Sequence, residues 1–89
     1  MINHYTEGTS LRIKIKELVF DFMKNTPECS SNAEGLKQAV IFRECGLDWG
    51  EYPNATSTNQ QYWLVALLRE LESEGKVKRD HITKRWTIT

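Results

Sequence analysis

The most chemically suggestive part of the sequence is the run Ser-Thr-Asn-Gln-Gln, in which every side chain donates or accepts hydrogen bonds. Asparagine and glutamine amides can pair with adenine N6 and N7 in the major groove, so Asn59, Gln60 and Gln61 are candidates for reading bases. The hydroxyls of Ser57 and Thr58, with the exposed amides of a helix N-terminus, can hold a phosphate oxygen. Because the same residue types are ordinary helix caps, the sequence leaves both base reading and capping open.

Positive charge is concentrated at the C-terminal end of the sequence. The whole chain has 12 basic and 12 acidic residues and therefore a formal net charge of zero. Residues 76–89 nevertheless hold five basic side chains and one carboxylate, whereas Glu44, Asp48 and Glu51 make the middle of the chain acidic. Such cations can contact DNA phosphates, but they can equally prevent edge-to-edge pairing of an exposed hairpin. The five basic residues are Lys76, Lys78, Arg79, Lys84 and Arg85.

The residue types that most often carry catalysis or bind metals are few and far apart. His4 and His81 lie near opposite ends of the chain, and neither has a fixed carboxylate neighbour that would orient it as a general base. Cys29 and Cys45 are 16 residues apart and have no Cys-x-x-Cys or histidine companion, so they lack the spacing of metal ligands. We therefore expect no catalytic residues, no metal site, no cofactor and no enzymatic activity.

Length and composition predict one small folded domain. A chain of 89 residues is long enough for a modest core but too short for a cleft between two lobes. Residues 1–9 are polar and aperiodic, which predicts a flexible arm ahead of a folded domain at residues 10–89. The longest apolar stretch, YWLVALL, is too short to cross a bilayer, and the sequence shows no signal peptide. We therefore expect a cytoplasmic protein with reduced thiols and no membrane partner.

Apolar spacing and stop signals predict the first two helices. The first should cover residues 11–24, because a helix ends before Pro27. Ser31 and Glu34 match a capping box, in which each side chain bonds the other residue's backbone amide, and this predicts the start of a second helix. Gly46 is the predicted end of that helix, since glycine adopts a left-handed conformation without penalty. The predicted inner face of the second helix consists of Leu36, Ala39, Val40, Ile41, Phe42 and Cys45.

A third helix and a hairpin are predicted for the rest of the chain. Two overlapping capping boxes precede an apolar stripe, which indicates a helix over residues 57–74 that ends at Gly75. The sequence then alternates as strands do on both sides of a polar turn at residues 80–84, which predicts a two-stranded hairpin. The residues predicted to face the core from these elements are Trp63, Ala66, Leu67, Leu71, Val77, Trp86 and Ile88.

Three helices followed by a basic hairpin resemble the winged helix-turn-helix superfamily. The resemblance covers roughly residues 10–89 and depends on WLVALLRELESEGKVKRD and KRWTIT, a tail similar to winged modules joined to some restriction endonucleases. It implies an α+β, mostly helical fold, a three-helix winged helix-turn-helix with a C-terminal two-stranded wing. In that superfamily the third helix lies in the major groove and the wing contacts phosphates, which the resemblance implies here for residues 57–61 and 78–85, including His81.

The function that this resemblance implies is binding of double-stranded DNA, by a small transcriptional regulator or by the recognition module of a larger system. One segment departs from the family pattern, because Asp48 and Glu51 would repel phosphates just before the third helix. Trp49 and Tyr52 in the same segment either cover the helices or contact a protein, so the alternative function is a winged-helix protein interaction module. A positive surface that joins the third helix to the hairpin would favour DNA, whereas an acidic third helix would favour a protein partner.

Overall fold

The computed structural model describes residues 1–47 and 62–89 of the chain. Within these residues the fold is α+β and mostly helical, which confirms the predicted class. None of the described helices is both long enough and apolar enough to cross a membrane. In chain order the elements are α1 (His4–Lys24), a 3₁₀ turn (Pro27–Cys29), β1 (Leu36–Lys37), α2 (Gln38–Glu44), α3 (Tyr62–Ser73), β2 (Val77–Arg79) and β3 (Arg85–Ile88).

Helix α1 begins earlier than the sequence predicted. It starts at His4, so most of the flexible arm predicted for residues 1–9 is helical, and the predicted start of the helix is wrong. Asn3 caps this helix, because its side-chain oxygen accepts a hydrogen bond from the Thr6 amide at 3.1 Å. The first turns are fully exposed, and a helix with no buried face shows no apolar period to predict it. The end of α1 at Lys24, ahead of Pro27, agrees with the prediction.

The second helix begins later than predicted, and the capping box does not form. Ser31 and Glu34 lie in a loop, and α2 starts at Gln38. The reason lies at Gly35, which has a φ of 86° and approaches β3 so closely that an added Cβ would be 2.6 Å from the Trp86 carbonyl oxygen. The chain is therefore drawn against the sheet at this point and cannot continue as a helix.

A third strand completes the sheet, where the sequence predicted two. Strand β1 pairs antiparallel with β3, so the strand order is β1-β3-β2. A strand of two residues is too short to show an alternating pattern, which is why the sequence did not reveal it. The paired residues are Leu36 with Trp86, Lys37 with Arg85, Val77 with Ile88, Lys78 with Thr87, and Arg79 with Trp86.

Helices α2 and α3 end in the same way, as predicted. Gly46 and Gly75 have φ angles of 75° and 76°, in the region that disfavours residues with a Cβ. After Gly46 the Leu47 amide donates to the Phe42 carbonyl at 2.8 Å, and the amide that follows Gly75 makes the equivalent bond at 2.9 Å. Both ends are thus Schellman motifs, which satisfy carbonyl groups that the helix itself leaves unpaired.

Helix α3 is rotated relative to the predicted orientation. Leu67 and Leu71 are buried as expected, but Trp63 is 53% exposed and Ala66 is also exposed. Leu64 and Leu68 take their places in the core. The sequence YWLVALL allows either stripe at helical spacing, and the choice depends on how α3 packs against α1 and the sheet.

The core lies between the helices and one face of the sheet. Trp86 is its largest fully buried side chain, and Val77 and the half-buried Ile88 lie on the same face, as the alternation predicted. From α2, Ile41 and Phe42 are buried while the other predicted inner residues are only partly covered. The described core consists of Val19, Met23, Cys29, Ile41, Phe42, Leu64, Leu67, Leu68, Leu71, Val77 and Trp86.

Candidate nucleic-acid interface

The hairpin and the described part of α3 hold the candidate interface. The predicted base-reading segment, residues 57–61, lies outside the described residues, and so do Trp49 and Tyr52. Of the ten residues predicted to contact DNA, the structure therefore places five, all of them in the hairpin. These are Lys78, Arg79, His81, Lys84 and Arg85.

The hairpin turn is organised by Asp80. Its carboxylate oxygen Oδ1 accepts hydrogen bonds from the amides of Ile82 and Thr83, both at 2.8 Å. Hydrogen bonds from these two backbone amides lower the pKa of the Asp80 carboxyl group, so it remains ionised and directed into the turn. Lys84 closes the turn with a φ of 65°, and its amide donates to the Asp80 carbonyl at 2.9 Å. The one acidic side chain of the hairpin thus serves to shape the turn.

The exposed lysines of the hairpin have no ion-pair partner among the described residues. Lys78 and Lys84 are both exposed, and no carboxylate among residues 1–47 and 62–89 lies within 4.0 Å of either ammonium group. His81 is exposed in the turn between them. Unpaired surface cations of this kind are available to an external anion without first breaking an internal contact.

The two arginines of the hairpin also hold the fold together. Arg85 is half-buried, and its Nη1 donates to the Gly35 carbonyl at 3.1 Å, which ties β3 to the loop before β1. Arg79 lies on the core side of the sheet, with its guanidinium carbon 5.9 Å from the centre of the Trp86 ring. Its Nε is buried and has no hydrogen-bond partner among the described residues. Substitution of either arginine would therefore perturb packing as well as charge.

Positive charge continues from the hairpin onto α3 across Trp86. The Arg69 guanidinium of α3 lies 5.4 Å from the centre of the same ring that Arg79 contacts. Arg69 also pairs with Glu72 one helical turn away, at 3.2 Å, on the exposed surface of the helix. Two arginines from different elements thus meet over one indole, at the junction of α3 with the hairpin.

The carboxylates of Glu70 in α3 and of Glu74 just after its end pair with cations, mainly from α1. Glu70 pairs with Arg12 and, at 3.5 Å, with Lys16, while Glu74 pairs with Lys16 at 2.7 Å. Hydrogen bonds from Arg12 lower the pKa of Glu70, and those from Lys16 lower the pKa of Glu74. Lys76 adds a further contact to Glu74 at 3.3 Å. The negative charge of this surface is therefore largely matched by basic side chains.

Two exposed apolar residues are functional candidates that the sequence reasoning missed. Ile82 is 90% exposed at the tip of the hairpin, and Trp63 is 53% exposed in the first described turn of α3. The signal for Ile82 was present, since it is the one apolar residue in an otherwise polar predicted turn. Trp63 fitted the predicted buried stripe, so only the packing of α3 could place it on the surface.

The histidines and cysteines form no obvious reactive centre in the described residues. His4 is exposed on α1, far along the chain from His81, and no group of three His, Cys, Asp or Glu residues there could hold a metal ion. Cys29 is buried and Cys45 is half-buried, and both are free thiols. Burial raises the pKa of Cys45 to about 11, so this thiol is protonated at neutral pH.

Comparison with known proteins assigns the chain to no family. No protein-family model matches it, and no curated protein and no solved structure is significantly similar to it. A proposal for its function depends instead on the chemistry of the hairpin and of α3.

Proposed function

We propose that this protein binds double-stranded DNA as a winged helix, with α3 directed to the major groove and the β2–β3 hairpin against the phosphate backbone. It would act as a small transcriptional regulator or as the recognition module of a larger system. The order of the elements supports this proposal, because α1, β1, α2 and α3 precede a hairpin whose strands share one antiparallel sheet with β1. The fold alone does not carry the proposal, since one fold serves many functions.

The observation that carries the proposal is that the exposed lysines of the hairpin have no acidic partner in the part of the chain that the structure describes. In the described residues, the carboxylates of α3 have basic partners, whereas Lys78 and Lys84 have no acidic partner. DNA presents a dense row of phosphates, and each cation that meets one releases a condensed counterion. A chain with zero net charge can therefore bind DNA when its cations are concentrated on one exposed element.

The surface that joins α3 to the hairpin is also compatible with DNA. Arg69 and Arg79 meet over Trp86, so positive charge extends from the hairpin to the exposed side of α3. At the other end of the hairpin, Ile82 projects from the tip beside the basic residues. Apolar side chains in such positions are used by DNA-binding proteins to contact the minor groove or to enter between base steps.

Charge substitution on the hairpin tests the proposal. The double variant Lys78→Gln with Lys84→Gln should bind every duplex more weakly and lower the salt slope of binding by about 2, one for each lost phosphate contact. Lys14→Gln with Lys24→Gln is the matched control, because it removes the same charge from exposed positions on α1. Fluorescence titration of a labelled duplex at several salt concentrations gives both quantities. Equal slopes for the two double variants would contradict the proposal.

Protein contact is a second candidate function, favoured by Trp63. Large exposed aromatic residues are frequent anchors of protein interfaces, and Trp63 lies beside the exposed Ala66 on α3. On this alternative the hairpin cations would keep the protein soluble and would contribute nothing specific to duplex binding. Binding of duplexes that is weak and unaffected by the hairpin substitutions would therefore favour protein contact over DNA binding.

A further inference from the structure

The hairpin lines a cleft on the face of the sheet that is turned away from the core. The cleft lies between the loop at residues 31–34 and the outer side of strands β2 and β3, and its volume is about 420 Å³. This size lies within the range of small-molecule sites in proteins. The residues around it include Ser31, Glu34, Lys78, Asp80, Arg85 and Thr87.

Thr87 places a polar group in the wall of this cleft. It is only 6% exposed, and it is the one buried polar residue among those that the structure describes. Its methyl carbon is turned toward Gly35, where an added Cβ would meet it at 3.0 Å. Its hydroxyl makes no hydrogen bond within the described residues and is not among the side-chain atoms that are buried without a partner, so it is accessible to a ligand.

Two cations lie on the same face of the sheet as Thr87. Lys78 is its partner in the β2–β3 register, and Arg85 precedes it by two residues in β3, so all three side chains leave the sheet on one side. Neither cation has a carboxylate within 4.0 Å in the described parts of the chain. The bond from Arg85 to the Gly35 carbonyl holds the guanidinium in place and leaves its other N–H groups for a ligand.

Two carboxylates also lie around the cleft, and neither forms an ion pair with these cations at this distance limit. The Asp80 carboxylate is directed into the turn by its bonds to two backbone amides. Glu34 is exposed on the loop across from the hairpin. The lining holds three basic residues and two acidic ones. Of the basic residues, Lys78 and Arg85 have side chains on this face of the sheet, whereas the Arg79 guanidinium lies toward Trp86 on the other face.

We infer that this cleft binds the phosphate group of a small phosphorylated molecule. A fixed guanidinium, an ammonium group and a hydroxyl together supply donors for several oxygens of one tetrahedral anion. The volume exceeds what a lone phosphate fills, which leaves room for the rest of such a molecule. This site goes beyond the proposed DNA binding, because it adds Thr87 and the loop at residues 31–34 on the face of the sheet opposite to Trp86, although Lys78 belongs to both sites.

Titration of the ¹⁵N-labelled full chain with inorganic phosphate and with pyrophosphate tests this site, with chloride at equal ionic strength as the reference. Saturable shifts are expected in the amides of residues 31–35 and 85–87. Lys78→Gln and Thr87→Val should each weaken binding at least about fivefold, because each removes a donor to the anion. Thr87→Ser retains the hydroxyl and should retain binding. Lys84→Gln is the matched control, since Lys84 belongs to the same hairpin but does not line the cleft.

Three results would overturn the inference. Shifts that chloride reproduces, or that Lys78→Gln and Lys84→Gln change equally, would indicate only general attraction to positive charge. Shifts produced at these residues by duplex DNA but not by phosphate or pyrophosphate would mean that the cleft holds the nucleic-acid backbone instead. The two proposals can fail separately, because Lys84→Gln weakens duplex binding under the DNA proposal but leaves the phosphate site intact.

Discussion

The α1–α3 surface and the hairpin differ in whether their charged side chains form ion pairs. On the first, Arg12 and Lys16 of α1 meet Glu70 of α3 and Glu74 just after its end, across 58 residues of sequence. On the hairpin, exposed lysines lie without carboxylate partners among the described residues, and the lone acidic side chain bonds to backbone amides. The net charge of zero is compatible with a basic hairpin, because residues 1–75 hold 11 acidic and 7 basic side chains.

This difference suits the DNA-binding proposal, in which the hairpin is the surface that meets an external partner. Surface ion pairs contribute little stability, about 0.2–1 kcal/mol each, but they remove the attraction of a surface for external ions. The α1–α3 pairs thus align two helices and leave little field around them. Hairpin lysines that have no acidic partner among the described residues leave a positive field that attracts anions.

The largest expected effect is the loss of stability when the Trp86 ring is removed, because this ring packs the hairpin against α3. Trp86→Ala should lower the free energy of unfolding by about 3–5 kcal/mol, since Trp86 is fully buried and its ring contacts Arg69 and Arg79. Urea unfolding followed by circular dichroism measures the loss. Ile82→Ala is the control, because Ile82 is exposed at the hairpin tip and should change stability little. An unchanged midpoint for Trp86→Ala would show that the ring is not in the core.

The next largest effect is expected from substitution of Gly35, because its close approach to β3 allows β1 to pair with that strand. An alanine at this position would carry a Cβ only 2.6 Å from the Trp86 carbonyl oxygen and would have to adopt a positive φ. Gly35→Ala should therefore destabilise the protein by roughly 1–3 kcal/mol. Gly8→Ala is a matched control with the opposite expected sign, because Gly8 lies within α1 with no atom near its Cβ position, and alanine should stabilise the helix by about 0.5–1 kcal/mol. A neutral Gly35→Ala would contradict the close approach.

Features that depend on local chemistry were predictable from the sequence. The glycines that end α2 and α3, the proline after α1 and the alternation around Trp86 each act within a few residues, and the structure agrees with all of them. The basic character of the hairpin was likewise evident from residues 76–89. Local signals sufficed because a turn or a helix end satisfies its own backbone groups.

Features that depend on distant contacts were not predictable. The capping box at Ser31 competes with the approach of Gly35 to β3, about 50 residues away, and the distant contact prevails. The side of α3 that is buried depends on α1 and the sheet, which is why Trp63 was misplaced. The structural contacts of Arg79 and Arg85 also come from other elements, so the sequence could not separate them from the exposed lysines.

The smallest expected effect is the loss of stability at low pH, and its salt dependence should differ between the two surfaces. Folding lowers the pKa of Glu70 and Glu74 from the usual 4.5, through Arg12 and Lys16 respectively, and it lowers the pKa of Asp80 through amides of the turn. A carboxyl whose pKa is lower in the folded state stabilises the fold above its unfolded pKa, and this stability is lost as the pH falls through the folded value. Stability should therefore decrease below pH 4.5 at the α1–α3 surface and below pH 3.8 at the hairpin.

Salt should act mainly on the α1–α3 part of this loss. Ion pairs between exposed side chains are screened when the Debye length shortens to about 3 Å near 1 M salt, whereas hydrogen bonds to backbone amides at 2.8 Å persist. Asp80→Asn leaves the Glu70 and Glu74 carboxylates in place. The stability that this variant loses in acid should therefore be smaller in high salt. The double variant Glu70→Gln with Glu74→Gln leaves the Asp80 carboxylate in place. The stability that it loses in acid should be largely independent of salt. Thermal melts of both variants between pH 6 and pH 3, at low and high salt, measure these losses of stability. Equal salt sensitivity of the two variants would contradict the distinction between ion pairs at one surface and hydrogen bonds to backbone amides at the other.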